Sequence, residues 1–272
     1  MTLFESIVLG VVQGVTEFLP ISSTAHLILV PWAFHWQDPG LTFDVVLHAG
    51  TLLAILAYFW KDWFGVLLGV LPGRPSPEKR GGRRLLGLIV LGTIPGALVG
   101  VLAERAVETW LRSAAIIACS LIGLALLLWW VEKRSVKSRS LEGLYWLDSL
   151  LVGCAQAIAL IPGVSRSGIT ITAGLFRGFT RATAARFSFL LSAPIIAGAG
   201  LKKAMELGAA GIPAGMAMPM LVGFLASFLS GFLTIWFLLR YLQRNTLEVF
   251  IIYRIVLGAV IFFLIFFAGF QP

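Results

Sequence analysis

The sequence predicts an all-α polytopic membrane protein with an inverted-topology repeat, each half holding one re-entrant helix–loop–helix plus three transmembrane helices, six full spans in all. Three observations carry this prediction. Of the 272 residues 58% are hydrophobic and only 12% charged, where soluble domains carry about 25% charged residues. Mean hydropathy is +0.93, and 29 glycines are spread through the apolar runs, where they let helices approach closely in lipid. Two of the apolar regions are broken in the middle by polar turns, the pattern of helices that stop partway through the bilayer.

The formal charge of +8 and pI near 10.0 would suggest nucleic acid for a soluble chain. Here Lys and Arg fall in short loops between apolar runs, so they are topology signals and no nucleic-acid partner is expected. Cys119 and Cys154 lie inside apolar stretches, which excludes a disulfide framework or a zinc spacing. The first basic residue is Lys61, so the first apolar stretch lacks the basic flank of a secretory signal and is expected to remain in the mature protein.

In chain order, Ser6 to Phe34 is the first broken region, interrupted by Glu17-Phe-Leu-Pro-Ile-Ser-Ser-Thr. Each arm offers about 8 to 12 apolar residues, enough at ~1.5 Å rise per residue for roughly half of a 30 Å core. Three spans follow, at about Phe43 to Trp60, Leu85 to Ala103 and Ala114 to Val131. The second broken region, Leu147 to Phe176, is interrupted by Pro162-Gly-Val-Ser-Arg-Ser-Gly. Phe187 to Leu201, Met216 to Leu239 and Val249 to Phe270 complete the six. Trp129, Trp130 and Trp146 read as an interfacial belt.

The two broken regions resemble each other. Gly10-Val-Val-Gln13 is echoed by Gly153-Cys-Ala-Gln156, and Pro20 and Pro162 each introduce a Ser-rich turn with a one-residue slip. Phe43-Asp-Val-Val-Leu-His-Ala-Gly matches Phe187-Ser-Phe-Leu-Leu-Ser-Ala-Pro at Phe, Leu and Ala. The chain is therefore read as a single membrane domain over 1–272 with repeats at about 1–140 and 141–272. An odd number of crossings per unit inverts the second unit relative to the first. Loop charge orients it. Lys61, Arg74, Lys79, Arg80, Arg83, Arg84, Lys133, Arg134, Lys137, Arg139, Arg177, Arg181, Arg186, Arg240 and Arg244 fall on one side, against Arg105, Arg112, Lys202 and Lys203 on the other. The basic side is predicted to be cytoplasmic, with the first re-entrant pair entering from outside and the second from the cytoplasm.

Ionisable groups within the membrane are costly and mark function. The first tip offers Gln13, Glu17, Ser22, Ser23, Thr24 and His26; the second offers Gly163, Ser165, Arg166, Ser167, Gly168 and Thr170. Gln13 and Glu17 share a helix face. Free amides, hydroxyls, a helix N-terminus and the Arg166 guanidinium make the second turn a phosphate cradle. Brought together, the tips suit attack on phosphorus. Each piece also has a purely structural reading: Ser22, Thr24 and Ser167 as caps, Glu17 and Arg166 as an ion pair locking the halves, His26 as a packing histidine. Asp44 and His48 are read as structural pairing, with Arg254 as their partner, rather than catalysis.

Gly14-Val-Thr-Glu-Phe-Leu-Pro-Ile-Ser-Ser-Thr-Ala-His26 and Pro162-Gly-Val-Ser-Arg-Ser-Gly168 strongly resemble the two signature segments of the bacterial undecaprenyl-diphosphate phosphatase family, also called the bacitracin-resistance protein family. The likeness runs the full length, including Phe43-Asp-Val-Val-Leu-His-Ala-Gly and Ile252-Tyr-Arg254. The resemblance implies a multi-pass hydrolase of the bacterial inner membrane that converts undecaprenyl diphosphate and related polyprenyl diphosphates to the monophosphate and inorganic phosphate. That would recycle the lipid carrier for peptidoglycan synthesis and confer resistance to bacitracin, which competes for the substrate. It also implies a divalent cation, Mg2+ or Ca2+, and an active site facing the periplasm, and it leaves room for a homodimer. The family's acidic motif falls on Gln13 and Glu17, its serine and histidine on Ser23 and His26, its arginine on Arg166. Gln13 is the departure, since some members carry Glu there.

The expected mechanism has Ser23 attack the terminal phosphorus with Glu17 or His26 as base, Arg166 and the second turn holding the phosphoryl charge, and a metal near Glu17 and Gln13. Ser22, Thr24, Gly163, Ser165, Ser167 and Gly168 would bind phosphate, and direct attack by water is the variant. The rival functions are a lipid-phosphate transporter or flippase using the same midplane site, and a lipid-binding scaffold without turnover.

Overall fold

The computed structural model describes residues 1–72, 74, 76–110, 113–210 and 215–270, without the side chains of 103–110, 203 and 206–210. Arg112 and the side chains of Arg105 and Lys203 therefore lie outside the described residues. The described residues form helices α1 (Leu3–Phe18), α2 (Ser23–Ala33), α3 (Gly40–Tyr58), α4 (Trp60–Val70), α5 (Pro77–Trp110), α6 (Ala114–Arg134), α7 (Trp146–Ile158), α8 (Arg166–Phe176), α9 (Arg181–Ala210), α10 (Ala217–Tyr241) and α11 (Glu248–Ala268). A single 3-10 turn, Leu141–Gly143, precedes α7.

Six of these are long and apolar enough to cross a membrane: α3, α5, α6, α9, α10 and α11. They coincide with the six runs read from the sequence, so the chain is a multi-pass membrane protein. Both broken regions are helix–turn–helix units, α1–α2 and α7–α8. At 16 residues α1 is longer than an 8-to-12-residue arm. A capping box in which Thr2 and Glu5 satisfy each other's backbone amides starts it early, ahead of the apolar run. Helix α4 stands where the basic residues after α3 predict a loop. Its C-terminal carbonyls are satisfied from outside, Leu71 and Pro72 accepting from Lys79 and Gly69 from Arg83 at 2.5 Å, which charge counting along the chain does not reveal.

Packing follows the small residues. A Cβ on Gly10 of α1 would collide with the Gly223 backbone of α10, and one on Gly153 of α7 with the Gly92 backbone of α5. The first arm of each broken region, α1 or α7, thus lies backbone to backbone against a long helix distant in sequence, α10 or α5. Such close contact is how apolar helices associate where lipid removes the hydrophobic drive.

The basic residues gather at one end of the bundle, tied by ion pairs. Arg186 of α9 meets Asp62 of α4 at 2.6 Å, Arg181 meets Glu132 of α6, and Lys133 meets Glu248 of α11 at 2.6 Å. Buried Asp148, near the start of α7, accepts from Arg139 and from Arg177, just past α8, at 2.6 Å each. Its carboxylate pushes the Arg139 guanidinium further up from its ordinary value. The open end of α7–α8 therefore lies at this basic end. At the other end Phe4 of α1 packs edge-on against Trp36, and Trp32 of α2 against Phe270 beyond α11, so α1–α2 opens there.

Candidate active site

The two tips share an uncommon backbone. Ser22, before α2, has φ 75 and ψ 99, and Ser165, before α8, has φ 70 and ψ 115. Positive φ in a residue with a Cβ costs on the order of 1–3 kcal/mol and persists only where surroundings enforce it. The enforcement is visible. Ser165 Oγ accepts the Gly168 amide at 3.1 Å, and Gly163, at φ 89, fits its own turn where a Cβ would lie 2.6 Å from the Ile117 carbonyl oxygen. Ser22 receives no such side-chain bond to its Oγ; its carbonyl is instead bonded to His26 Nδ1 at 2.7 Å. The tips also meet directly, Ser167 Oγ donating to the Leu19 carbonyl at 3.2 Å.

Glu17 is the hub. Buried at the end of α1, it accepts Ser23 Oγ at 2.7 Å and Gln13 Nε2 at 3.2 Å on Oε2, and Arg166 Nη2 at 2.5 Å on Oε1. His48 Nε2 of α3 stands 3.6 Å from Oε2, its Nδ1 bonded to the Asp44 carbonyl at 2.8 Å. Two buried atoms beside this hub have no partner among the described residues, Arg166 Nη1 and Gln13 Oε1. One is a cationic donor and the other a neutral oxygen acceptor, and leaving either unpaired in a buried site is costly without a ligand.

A cavity of about 270 Å3 runs past Glu17, Ser22, Ser23, Thr24, His48, Gly163, Ser165 and Arg166. A second cavity of about 650 Å3 adjoins it through Thr24, Val45, His48 and Ala159, and widens between α2 and α3 along Leu27, Ile28, Trp32, Trp36 and Leu41. A floor bearing Glu17, Ser23 and Arg166, reached through a corridor where these apolar side chains stand beside Asp38 and Asp44, suits a phosphorylated head carried on a lipid tail.

The predicted site residues Glu17, Ser22, Ser23, Thr24, Gly163, Ser165 and Arg166 all line the floor. Gln13 touches it through Glu17. Ser167 and Gly168 sit just behind, bonded to Leu19 and Ser165. His26 is placed differently. Its ring lies outside the cavity lining, with Nδ1 on the Ser22 carbonyl and Nε2 2.6 Å from the Tyr253 hydroxyl. The imidazole that does line the cavity is His48, which the sequence reading assigned to structural pairing. The expected pairing of Asp44 and His48 with Arg254 is corrected. Arg254 is fully buried and, among the described residues, donates to the carbonyls of Pro20, Ser120, Leu121, Gly163 and Val164. Broken helices expose unsatisfied carbonyls, and several of these together satisfy the five-donor guanidinium fork, which one carboxylate cannot do alone. Cys119 and Cys154 are free thiols away from the site.

Residues 6–260 match the family described as bacitracin resistance protein BacA. The chain is 51% identical over 261 residues to an undecaprenyl-diphosphatase of Moorella thermoacetica, covering 96% of this chain and 97% of that one. It is 46% identical over 258 residues to an undecaprenyl-diphosphatase of Pelotomaculum thermopropionicum, with 95% of each covered. A third of that name, from Pelodictyon phaeoclathratiforme, is 45% identical with both chains covered in full.

Proposed function

The chain belongs to the bacitracin resistance protein BacA family, and from that premise we propose that it hydrolyses undecaprenyl diphosphate to undecaprenyl phosphate and inorganic phosphate at the cavity between the two tips. The observation that carries the reading is the convergence on Glu17 of the Ser23 hydroxyl and the Arg166 guanidinium, with Arg166 Nη1 still unpaired.

The terminal phosphate takes the unpaired side of Arg166 and the amides of the second turn. Ser23 Oγ then bonds to the terminal phosphorus as its proton passes to Glu17 Oε2, the acceptor it already faces at 2.7 Å. The bridging P–O bond breaks with its electron pair going to undecaprenyl phosphate. Water oxygen then bonds to phosphorus as the Ser23 Oγ–P bond breaks; Glu17 gives its proton back to Ser23 Oγ, and the proton lost by water leaves with inorganic phosphate. Arg166 and the N-terminus of α8 hold the charge on the phosphoryl oxygens throughout. The corridor between α2 and α3 receives the prenyl tail.

The residues fit a divalent cation of the kind that arrives with phosphates. Gln13 Oε1 is a buried, unpartnered oxygen beside the Glu17 carboxylate. Among the described residues no three His, Cys, Asp or Glu side chains form a metal cage. One carboxylate, one amide oxygen and substrate phosphates suit Mg2+ or Ca2+. Bound there, the ion would neutralise diphosphate charge.

The two halves, about 1–140 and 141–272, are read as an inverted repeat, supported by matching tips whose helix pairs open at opposite ends. The basic end is assigned to the cytoplasm, so the corridor between α2 and α3 faces the periplasm. There the enzyme would return the lipid carrier to peptidoglycan synthesis and withdraw the diphosphate form that bacitracin competes for. Phosphate release from undecaprenyl diphosphate by purified protein in detergent tests the reading; binding without release would leave transport or a scaffold.

A further inference from the structure

Two consecutive residues of α11 lie outside the cavity lining yet reach the tips from behind, Tyr253 through the His26 ring and Arg254 through the backbone carbonyls of both turns. The Tyr253 hydroxyl is 2.6 Å from His26 Nε2, and the two rings stack with centroids 5.7 Å apart and planes 10° from parallel. The other nitrogen, Nδ1, is 2.7 Å from the Ser22 carbonyl oxygen. A carbonyl only accepts, so Nδ1 carries the proton. In the neutral imidazole Nε2 is then the acceptor, and the Tyr253 hydroxyl is its donor. The chain of bonds from Tyr253 to His26 ends on the residue whose φ of 75 aims Ser23 at Glu17.

Arg254 performs the matching task across the tips. Its Nη1 donates to Pro20 at 3.1 Å, in the first turn, and its Nη2 to Gly163 and Val164 at 3.0 and 3.2 Å, in the second. Nε and Nη2 also reach Leu121 and Ser120 of α6 at 3.1 and 3.3 Å. Five carbonyl acceptors around all three guanidinium nitrogens offset the burial of a cation without a carboxylate.

We propose that Tyr253 and Arg254 are positioning residues for phosphoryl transfer, Tyr253 fixing the strained Ser22–Ser23 turn through His26 and Arg254 setting the separation of the two tips. The proposal rests on the reading that Ser23 and Arg166 act on one phosphate. It also gives His26 a role in catalysis without contact to substrate.

Tyr253→Phe keeps the stacked ring and removes only the hydroxyl. Since misplacement of reacting groups by about 1 Å costs about a hundredfold, kcat on a detergent-solubilised polyprenyl diphosphate is expected to fall about tenfold or more, with KM within about twofold and Tm unchanged. In a His26→Ala background the same substitution is expected to cost less than about twofold, because the hydroxyl acts through His26. Arg254→Lys, which keeps the charge but cannot span both turns, is expected to give the same kcat loss at retained KM. At pH 8, nitrogen-15 spectra of histidine-labelled protein are expected to show His26 protonated on Nδ1 alone. Full kcat in folded Tyr253→Phe protein, an undiminished loss in the His26→Ala background, or a proton on Nε2 alone would each overturn the role of Tyr253. Full kcat in Arg254→Lys would overturn that of Arg254, and the tyrosine arm decides by itself if that variant does not fold. Failure of the underlying site reading is distinct: it would appear as a fully active Ser23→Ala protein.

Discussion

Arg166 Nη2 lies 2.5 Å from Glu17 Oε1 across 149 residues of sequence, so an ion pair joins the tip of one half to the tip of the other inside the bundle. A buried pair of this kind contributes little net stability, because desolvation cancels much of the attraction. Its second guanidinium nitrogen is buried and unpartnered, which is poor design for a lock and good design for a phosphate site.

Replacing Arg166 by lysine preserves charge and destroys the planar fork. If Arg166 stabilises the transition state, Arg166→Lys is expected to lower kcat/KM by at least about a hundredfold, comparable to removing one preorganised oxyanion donor. Phosphate release by folded variant protein measures it. Near-normal turnover would reduce Arg166 to a structural partner of Glu17.

Gln13→Glu tests where the metal sits. Gln13 and Glu17 face each other one turn apart, so a second carboxylate adds either repulsion or a charged oxygen ligand. With the ion beside this face, activity is expected to persist and the Mg2+ or Ca2+ concentration for half-maximal rate to fall. An unchanged metal requirement would remove Gln13 from the metal site. Chelator treatment of the wild type sets the baseline.

The turn that holds Arg166 depends on Gly163. An alanine there meets both a φ of 89 and the Ile117 backbone, and strain of about 1–3 kcal/mol is expected. Gly163→Ala is predicted to lower both Tm and phosphate release. A variant with wild-type Tm and rate would contradict the tight seat of this turn.

Much of this arrangement is legible in the sequence because lipid permits few solutions. Apolar runs of crossing length become α3, α5, α6, α9, α10 and α11, and polar interruptions become turns. Glu17, Ser23 and Arg166 are legible because ionisable and hydroxyl groups between apolar arms have little other reason to be there. His48 is not, since Asp44 and His48 four residues apart look like structural partners of Arg254; only the approach of α3 to α1 brings Nε2 within 3.6 Å of Glu17. His26 reads as a site residue by proximity, yet its side chain turns to Tyr253, 227 residues away. Arg254 looks in need of a carboxylate because the demand of turn carbonyls is invisible until both turns are placed beside it. Helix α4 is hidden for a similar reason, its C-terminal cap being supplied by Lys79 and Arg83 of the following segment.

The orientation is open to chemistry. In a background lacking Cys119 and Cys154, cysteines at exposed Pro77 and Ser138 are expected to resist an impermeant thiol reagent applied to intact cells. One at exposed Gln37, in the turn between α2 and α3, is expected to react. Labelling at Pro77 from outside would reverse the assignment and move the cavity to the cytoplasmic side.

Ser23 is proposed as the nucleophile, and Ser23→Ala is the decisive substitution. Its hydroxyl donates to Glu17, so the substitution removes one side-chain bond, a loss of about 1 kcal/mol in a folded protein. Folded Ser23→Ala protein is expected to bind undecaprenyl diphosphate but lose nearly all phosphate release, and rapid quenching of the wild type with substrate labelled on the terminal phosphate is expected to trap label on Ser23. A Ser23→Ala protein that keeps most of its turnover, with no label trapped in the wild type, would contradict that role of Ser23 and assign the attack to water.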